Sequence, residues 1–313
     1  VFLDEGSVGS DDLDLSSLQS VCELELRHNT APQELDVALA DAEVVISNKV
    51  VLDGGTLKRN QHIHFIAIAA TGTNNVDLEA ARSLGMQASN VTAYATASVV
   101  QHVFALMLAL QTRLLEYQHS VREGEWCEQP FFSLLKFPFE ELAGKVLGIV
   151  GYGELGRAVA EVARAFGMQV LLAKRTPEDE RPERLDMETL LPQVDVLSLH
   201  CPLTDRNRHL IGAAELALMK PTAMLINTAR GPLVDETALL AALQQGDIAA
   251  AGLDVLTREP PARELPLLQY RQPNLIVTPH VAWASRESRQ RLIDQLAVNI
   301  RAYTEGQVRN PVC

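Results

Sequence analysis

Residues 145–156 read Lys145-Val146-Leu147-Gly148-Ile149-Val150-Gly151-Tyr152-Gly153-Glu154-Leu155-Gly156, and the fold follows from this stretch. Its first half is a short apolar run with β-branched residues, the pattern of a strand buried on both faces of a parallel sheet. Its second half is G-x-G-x-x-G, with glycines at 151, 153 and 156. From Arg157 to Phe166 apolar residues recur at helical spacing. Strand, glycine turn and helix in that order give the three glycines their meaning. Gly151 allows a tight turn, Gly153 lets backbone approach a pyrophosphate, and Gly156 lets helix pack close to strand. The helix start adds unpaired N–H groups and the positive end of a dipole. A dinucleotide site is expected here, against the plainer alternative of a structural turn.

The next strand, Gln169-Val170-Leu171-Leu172-Ala173, selects the cofactor. A site for NAD usually closes this strand with Asp or Glu, which accepts from the ribose 2′-OH. Here the chain continues Lys174-Arg175-Thr176. Two cations and a hydroxyl suit a 2′-phosphate, because charge-assisted bonds to phosphate are strong. NADP(H) is favoured and NAD(H) remains possible. A solvated basic turn is the bland alternative.

With 313 residues the chain can build two domains with cores of their own. A net charge of −13 argues against nucleic acid or an anionic membrane as partner. A small anionic substrate is still compatible, since a local cationic pocket outweighs the global sign. The first residues, Val1-Phe2-Leu3-Asp4-Glu5-Gly6, lack the basic and apolar regions of a signal peptide. The most apolar stretch, Val99 to Leu110, contains Gln101 and His102 and is too short for a bilayer. Cys22, Cys127, Cys201 and Cys313 are scattered without a C-x-x-C pair. Reduced thiols in a cytoplasmic protein are expected, with no metal-ligand cluster.

The first hundred residues read as an α/β unit. Val1–Leu3, Cys22–Leu26, Val44–Ile46 and Phe65–Ala70 are candidate strands, and 32–42 a helix with Pro32 early. Ser47-Asn48-Lys49 and Thr71-Gly72-Thr73-Asn74-Asn75 follow two of these strands, where open α/β sheets bind ligands. Asp77 is a plausible cap for a helix to Leu84. Thr96 to Leu110 reads as a long buried helix; its His102 fits a satisfied core residue better than a catalyst. Residues 113–140 are the least regular, with Trp126, Phe131, Phe132, Phe137 and Phe139 crowded together. That density suggests a subunit contact, with packing on its own domain as the alternative. Further βα units place strands at 194–200, 223–228, 248–255 and 275–278. The final helix, 285–303, is amphipathic and is expected to cover the first unit's sheet.

Arg230, Glu259 and His280 follow three successive strands and should converge on one rim. Reduction of a 2-keto acid needs a cation for the carbonyl and carboxylate oxygens, a proton donor and a fixed cofactor face. Arg230 offers a planar fork, and His280 can exchange a proton near neutral pH. A carboxylate such as Glu259 beside it stabilises the imidazolium. Singly, they could be a phosphate clamp, a loop acid and a helix cap; together they argue for chemistry.

These motifs resemble a known family. The glycine fingerprint, Asn227-Thr228-Ala229-Arg230-Gly231-Pro232-Leu233-Val234-Asp235, Gly252-Leu253-Asp254-Val255 through Glu259-Pro260, and Thr278-Pro279-His280 are similar to the D-isomer-specific 2-hydroxyacid dehydrogenases, over nearly the whole chain. Ser47-Asn48-Lys49-Val50, Ala70 to Asp77, and His280 to Ser285 look most like the glycerate dehydrogenase (hydroxypyruvate reductase) subgroup.

The resemblance implies an α/β fold of two doubly wound parallel-sheet domains. A Rossmann-type nucleotide domain (97–285) is inserted in a flavodoxin-like substrate domain (1–96 and 286–313), with the cleft between them. It implies that Arg230 orients substrate, Glu259 pairs with His280, and His280 protonates the carbonyl oxygen. Backbone N–H groups around Thr71, Gly72 and Thr73 would receive the carboxylate, with Asn48 and Lys49 nearby. Asp254 would hold the nicotinamide carboxamide. Thr96, Glu154, Leu155, Cys201, Pro202, Thr228 and Ala229 would line the cofactor. The chain departs from many relatives at Lys174, where NAD-using members have an acid, and at Ala282-Trp283, where Trp283 would narrow the pocket for a short substrate. The expected activity is reversible reduction of hydroxypyruvate and glyoxylate, by a homodimer. Alternatives are another 2-keto acid, or a silent dinucleotide-sensing binding protein.

Overall fold

In the computed structural model, which describes residues 1–176 and 179–313, the chain divides into two units. One is Val1–Ala95 with Trp283–Cys313, the other Thr96–Ala282. In the first, β1 (Val44–Ser47), β2 (Phe65–Ile68) and β3 (Gln87–Ser89) pair in parallel in that order. The expected strands at 1–3 and 22–26 shrink to single bridges, Phe2 to Leu26 and Phe2 to Ile46. Glu23 and Glu25 interrupt the apolar run of this edge segment, so only the fully buried Phe2 is held on both sides. Counting the bridges, the order is 2-1-3-4-5, that of flavodoxin-like sheets.

The helix expected over 32–42 breaks into a 3₁₀ turn, Pro32–Glu34, and a short helix, Leu35–Leu39. Glu34 accepts from the Ala31 N–H at 3.0 Å and so closes the turn. Asp77 caps the helix Leu78–Ser83 by accepting from the Ala80 N–H at 2.9 Å. The last helix, Arg286–Thr304, lays Leu292, Ile293, Leu296, Ala297 and Ile300 against Phe2, Phe65 and Ala67. Tyr303 stacks on Phe65 with ring centroids 4.5 Å apart. One face of the small sheet is thereby covered.

The second unit holds β4 (Val146–Val150), β5 (Gln169–Ala173), β6 (Arg184–Leu185), β7 (Val196–Leu199), β8 (Met224–Asn227), β9 (Ala250–Leu253) and β10 (Leu275–Val277). All pair in parallel in the order β10-β9-β8-β7-β4-β5-β6. Numbered from β4, this is the 3-2-1-4-5-6 order of dinucleotide-binding sheets with one strand added. β7, β8 and β9 are buried along their whole length, which is why they read as continuous apolar runs rather than alternations. β6 is two residues long and begins with an arginine, so no apolar run announced it.

The helix Thr96–Gln111 packs so closely on β9 that a Cβ built on Gly252 would lie 3.1 Å from the Leu106 Cβ. A further helix, Leu114–Arg122, lies in the span expected to be irregular. Tyr117 ties that span down, donating to Phe137 O at 2.8 Å. Phe131, Phe132 and Leu135 stay 74%, 92% and 87% exposed. Among the described residues no single helix is long and apolar enough to cross a membrane.

Candidate active site

The order in which strands are added to the sheet reverses between β4 and β7, the switch point where such sheets bind ligands. Gly151 turns the chain there with φ +97°, and a Cβ on it would lie 2.5 Å from Cys201 N. A Cβ on Gly156 would lie 2.2 Å from Gly151 O, whereas one on Gly153 would meet nothing within 4 Å. Two glycines thus serve close packing, and the middle one leaves the backbone open at the start of the helix Glu154–Ala165. Leu155 is in its first turn, and Thr96 donates its hydroxyl to the Glu154 carboxylate.

Beside this turn, Asn207 Nδ2 donates to Pro202 O at 2.8 Å and lies 3.8 Å from Cys201 Sγ. Burial pushes the Cys201 thiol up and the His200 imidazole down to about 4. His200 Nε2 is 2.8 Å from Ser198 Oγ, while His200 Nδ1 and Thr228 Oγ1 are buried polar atoms without a partner among the described residues. An open glycine turn with orphaned polar atoms at the ends of β7 and β8 fits a dinucleotide, whose polar groups would satisfy them.

The tip of β5 is more acidic than its sequence. Lys174 Nζ is 3.0 Å from Asp186 Oδ1, just past β6. Arg175 donates its N–H to Asp179 Oδ2 at 3.0 Å, and Thr176 O accepts from the Asp179 N–H. The Arg181 guanidinium, gripping Asp179 at 2.6 and 2.5 Å, holds that carboxyl well below the usual carboxylate range. Arg184 projects from β6 to Ala173 O at 3.2 Å, and its guanidinium carbon lies 5.2 Å from the centre of the Tyr152 ring.

Arg230, Glu259 and His280 follow the adjacent strands β8, β9 and β10. Asn227, fully buried, shapes the Arg230 loop: its Oδ1 accepts from the Ala229 N–H and its Nδ2 donates to Arg230 O. Gly231 then lets this loop press on the next. A Cβ there would lie 1.9 Å from the Leu256 carbonyl carbon. Leu256 donates its N–H to Glu259 Oε1 at 2.9 Å, and Glu259 Oε2 lies 2.7 Å from His280 Nδ1. An ionised carboxylate only accepts, so Nδ1 carries hydrogen and Nε2 is the nitrogen whose protonation changes.

His280 has φ +57°, a left-handed conformation held by its N–H donating to Asp254 O at 2.8 Å. Asp254 is 1% exposed. Its Oδ1 accepts from the Thr278 hydroxyl at 2.6 Å and the Val281 N–H at 2.9 Å, and Oδ2 from the Ala282 N–H at 2.8 Å. Both oxygens of Asp254 thus anchor the turn that carries His280, and a carboxylate with these three donors keeps acceptor capacity for a carboxamide N–H. Since the Thr278 proton goes to Asp254, Thr278 Oγ1 accepts from His102 Nε2 at 2.8 Å. His102 is a satisfied interior residue beneath this turn.

In the first unit, Asp4 gathers the loop after β1, accepting from the N–H groups of Asn48, Lys49 and Val50 at 2.9, 2.6 and 3.2 Å. After β2, Thr71 donates its hydroxyl to Val91 O at 2.9 Å. The backbone N–H groups of Thr71, Gly72 and Thr73 have no hydrogen-bond partner among the described residues. Trp283 meets Tyr94 edge-on, centroids 6.3 Å apart.

The family model for "D-isomer specific 2-hydroxyacid dehydrogenase, NAD binding domain" matches residues 104–282. The chain belongs to the D-isomer specific 2-hydroxyacid dehydrogenase family. It is 46% identical to a glycerate dehydrogenase of Methylorubrum extorquens over 281 residues, covering 90% of this chain and 88% of that protein. It is 35% identical to a hydroxypyruvate reductase of Blautia hydrogenotrophica, covering 100% and 98%. The TT0316 protein of Thermus thermophilus superposes with a TM-score of 0.87 at 34% identity, covering 100% and 99%. The chain is thus a nicotinamide-dependent oxidoreductase of 2-hydroxy acids.

Two groups of this dehydrogenase escaped sequence reading. His102 and Thr278 are 176 positions apart, and nothing local signals that they meet over Asp254. Asn227 and Asp254 stood inside quoted motifs; a polar residue at the end of a buried strand was the available signal of a loop anchor.

Proposed function

We propose that this dehydrogenase reduces hydroxypyruvate and glyoxylate to D-glycerate and glycolate, reversibly and with NADPH as preferred cofactor. The observation that carries the proposal is the His280 Nδ1 to Glu259 Oε2 contact of 2.7 Å, with the carboxylate anchored on Leu256. The bound nicotinamide supplies the hydride. His280 delivers the proton from Nε2 to the carbonyl oxygen, and Glu259 stabilises the imidazolium before transfer and holds the ring's orientation. Arg230 orients the 2-keto acid through its planar fork. The unpartnered N–H groups of Thr71, Gly72 and Thr73 suit a carboxylate, since a run of backbone donors makes an anion-binding concavity. Asn48 and Lys49 border it, and Trp283 favours a short substrate.

Thr96, Gly151, Gly153, Glu154, Leu155, Gly156, Cys201, Pro202, Thr228 and Ala229 line the cofactor. The cations after β5, with Thr176, support NADP(H). Asp186 tempers this for Lys174, whose ammonium it already partners, so Arg175 is the stronger candidate of the pair. The exposed Phe131, Phe132 and Leu135 support a homodimer, and four unpaired cysteines support a cytoplasmic location.

The test is steady-state oxidation of NADPH and of NADH with hydroxypyruvate, glyoxylate and longer 2-keto acids. Turnover of the two short acids above the longer ones is expected. No turnover with any short 2-keto acid would overturn the proposal. Arg175→Ala is expected to raise KM for NADPH and leave that for NADH unchanged.

A further inference from the structure

We infer that Arg184 is a specificity-determining residue of the cofactor site, supplying the buried positive charge against which the adenosine 2′-phosphate is read. The inference rests on the NADP(H) reading and names a residue outside the Lys174-Arg175-Thr176 run. Arg184 pairs with Leu172 across β5 and β6, so it stands beside the last residues of β5. Its guanidinium spans from Ala173 O, 3.2 Å from Nη1, to the ring of Tyr152 inside the glycine turn. In sheets of this order the adenosine ribose meets the tip of the second strand, which here is β5.

The charge at that place is only loosely paired. The Arg184 side chain is 7% exposed, and Nε is a buried donor without a hydrogen-bond partner among the described residues. The Glu183 carboxylate lies 3.8 Å from Nε, beyond hydrogen-bond distance, and faces solvent. Neighbouring cations differ: Lys174 is matched by Asp186 and Arg181 by Asp179. A buried guanidinium is costly unless paired and fully hydrogen-bonded, and one carbonyl, one aromatic face and a solvent-facing carboxylate 3.8 Å away leave it under-compensated. An anion at the ribose end compensates it. A pyrophosphate belongs to the helix N-terminus instead, and an unphosphorylated ribose diol carries no charge. The Arg157 guanidinium carbon also lies 5.9 Å from the centre of that ring, so Tyr152 meets two cations.

Calorimetric titration of the purified full-length protein with 2′,5′-ADP and with 5′-AMP tests this without turnover. Wild type is expected to bind 2′,5′-ADP about tenfold or more tighter than 5′-AMP, the size of one charge-assisted contact. Arg184→Gln is expected to lose most of that preference, with 5′-AMP affinity changed less than about threefold. Arg184→Lys keeps the charge without the fork and should fall between. If Arg184→Gln weakens both ligands alike while Arg184→Lys matches wild type in preference and affinity, the residue serves folding and the inference fails. A wild-type preference that survives in Arg184→Gln also removes it, leaving the NADP(H) reading intact. A wild type that prefers 5′-AMP removes that reading and the inference together.

Discussion

His280 and Glu259 are 21 residues apart, yet Nδ1 of one lies 2.7 Å from Oε2 of the other. Oε1 of the same carboxylate is held by the Leu256 N–H, so Glu259 is oriented by its own loop before it orients the imidazole. His280→Ala is expected to lower kcat by roughly 10²–10⁴-fold, the range of general acid catalysis. Glu259→Gln, which keeps shape and removes charge, should lower kcat with little change in KM. Steady-state kinetics with hydroxypyruvate check both, and a near-normal kcat in His280→Ala removes it from the mechanism.

Thr278→Val takes the hydroxyl from between Asp254 and His102, leaving Asp254 Oδ1 with one donor fewer and His102 Nε2 with the Asp254 carboxylate 3.4 Å away in place of its 2.8 Å partner. A loss of about 1–3 kcal/mol in stability is expected when a buried carboxylate loses such a donor. Because the same carboxylate holds the Val281 and Ala282 N–H groups, kcat should fall along with stability. Urea melts combined with kinetics on the folded variant separate the two; an unchanged kcat would show that the network does not position His280.

Gly231→Ala puts a methyl 1.9 Å from the backbone of Leu256, which cannot swing aside as a side chain can. Overpacking of this kind costs about 1–3 kcal/mol or more. The displaced loop carries Glu259, so activity should fall further than stability alone explains. Thermal melting and kcat/KM measured together check this, and a variant with wild-type values of both contradicts the loop-to-loop contact.

His200 is neutral in the fold, its imidazole held down to about 4 by burial, below its ordinary value of 6.5. The unfolded chain therefore binds a proton between these values that the folded chain does not, and stability falls as pH drops from about 6.5 towards 4. The contribution is on the order of 3 kcal/mol over that window, at 1.36 kcal/mol per unit. Comparing wild type with His200→Gln by urea melts at pH 7 and pH 5 isolates it. Equal pH dependence in both proteins contradicts the assignment.

Phe132 stands 92% exposed between the comparably exposed Phe131 and Leu135. If this surface joins two copies, Phe132→Glu should convert a dimer to monomer in sedimentation velocity, because an unpaired charge in an apolar interface is costly. A wild type that sediments as a monomer ends the homodimer proposal.

The glycine fingerprint and the apolar runs at β4, β7, β8 and β9 were enough to determine a parallel dinucleotide-binding sheet. Each of those strands is buried on both faces, and the resulting unbroken hydrophobicity is visible in one dimension. The placement of Arg230, Glu259 and His280 after neighbouring strands was legible for a related reason: each follows a recognisable strand, and in a parallel sheet all such positions fall on one rim.

Tertiary structure alone decided what those residues rest on. The strands at Val1–Leu3 and Cys22–Leu26 dwindled to bridges, and β6 appeared where no apolar run marks it, because edge pairing depends on a neighbour distant in sequence. Asp186 came to face Lys174, Asp254 turned both oxygens under His280, and Arg184 settled over Tyr152. A residue's type and periodicity report how buried it must be. Which group completes its hydrogen bonds or charge is set by chain segments folding back from 10 to 180 positions away, roughly, and local pattern carries no record of those encounters.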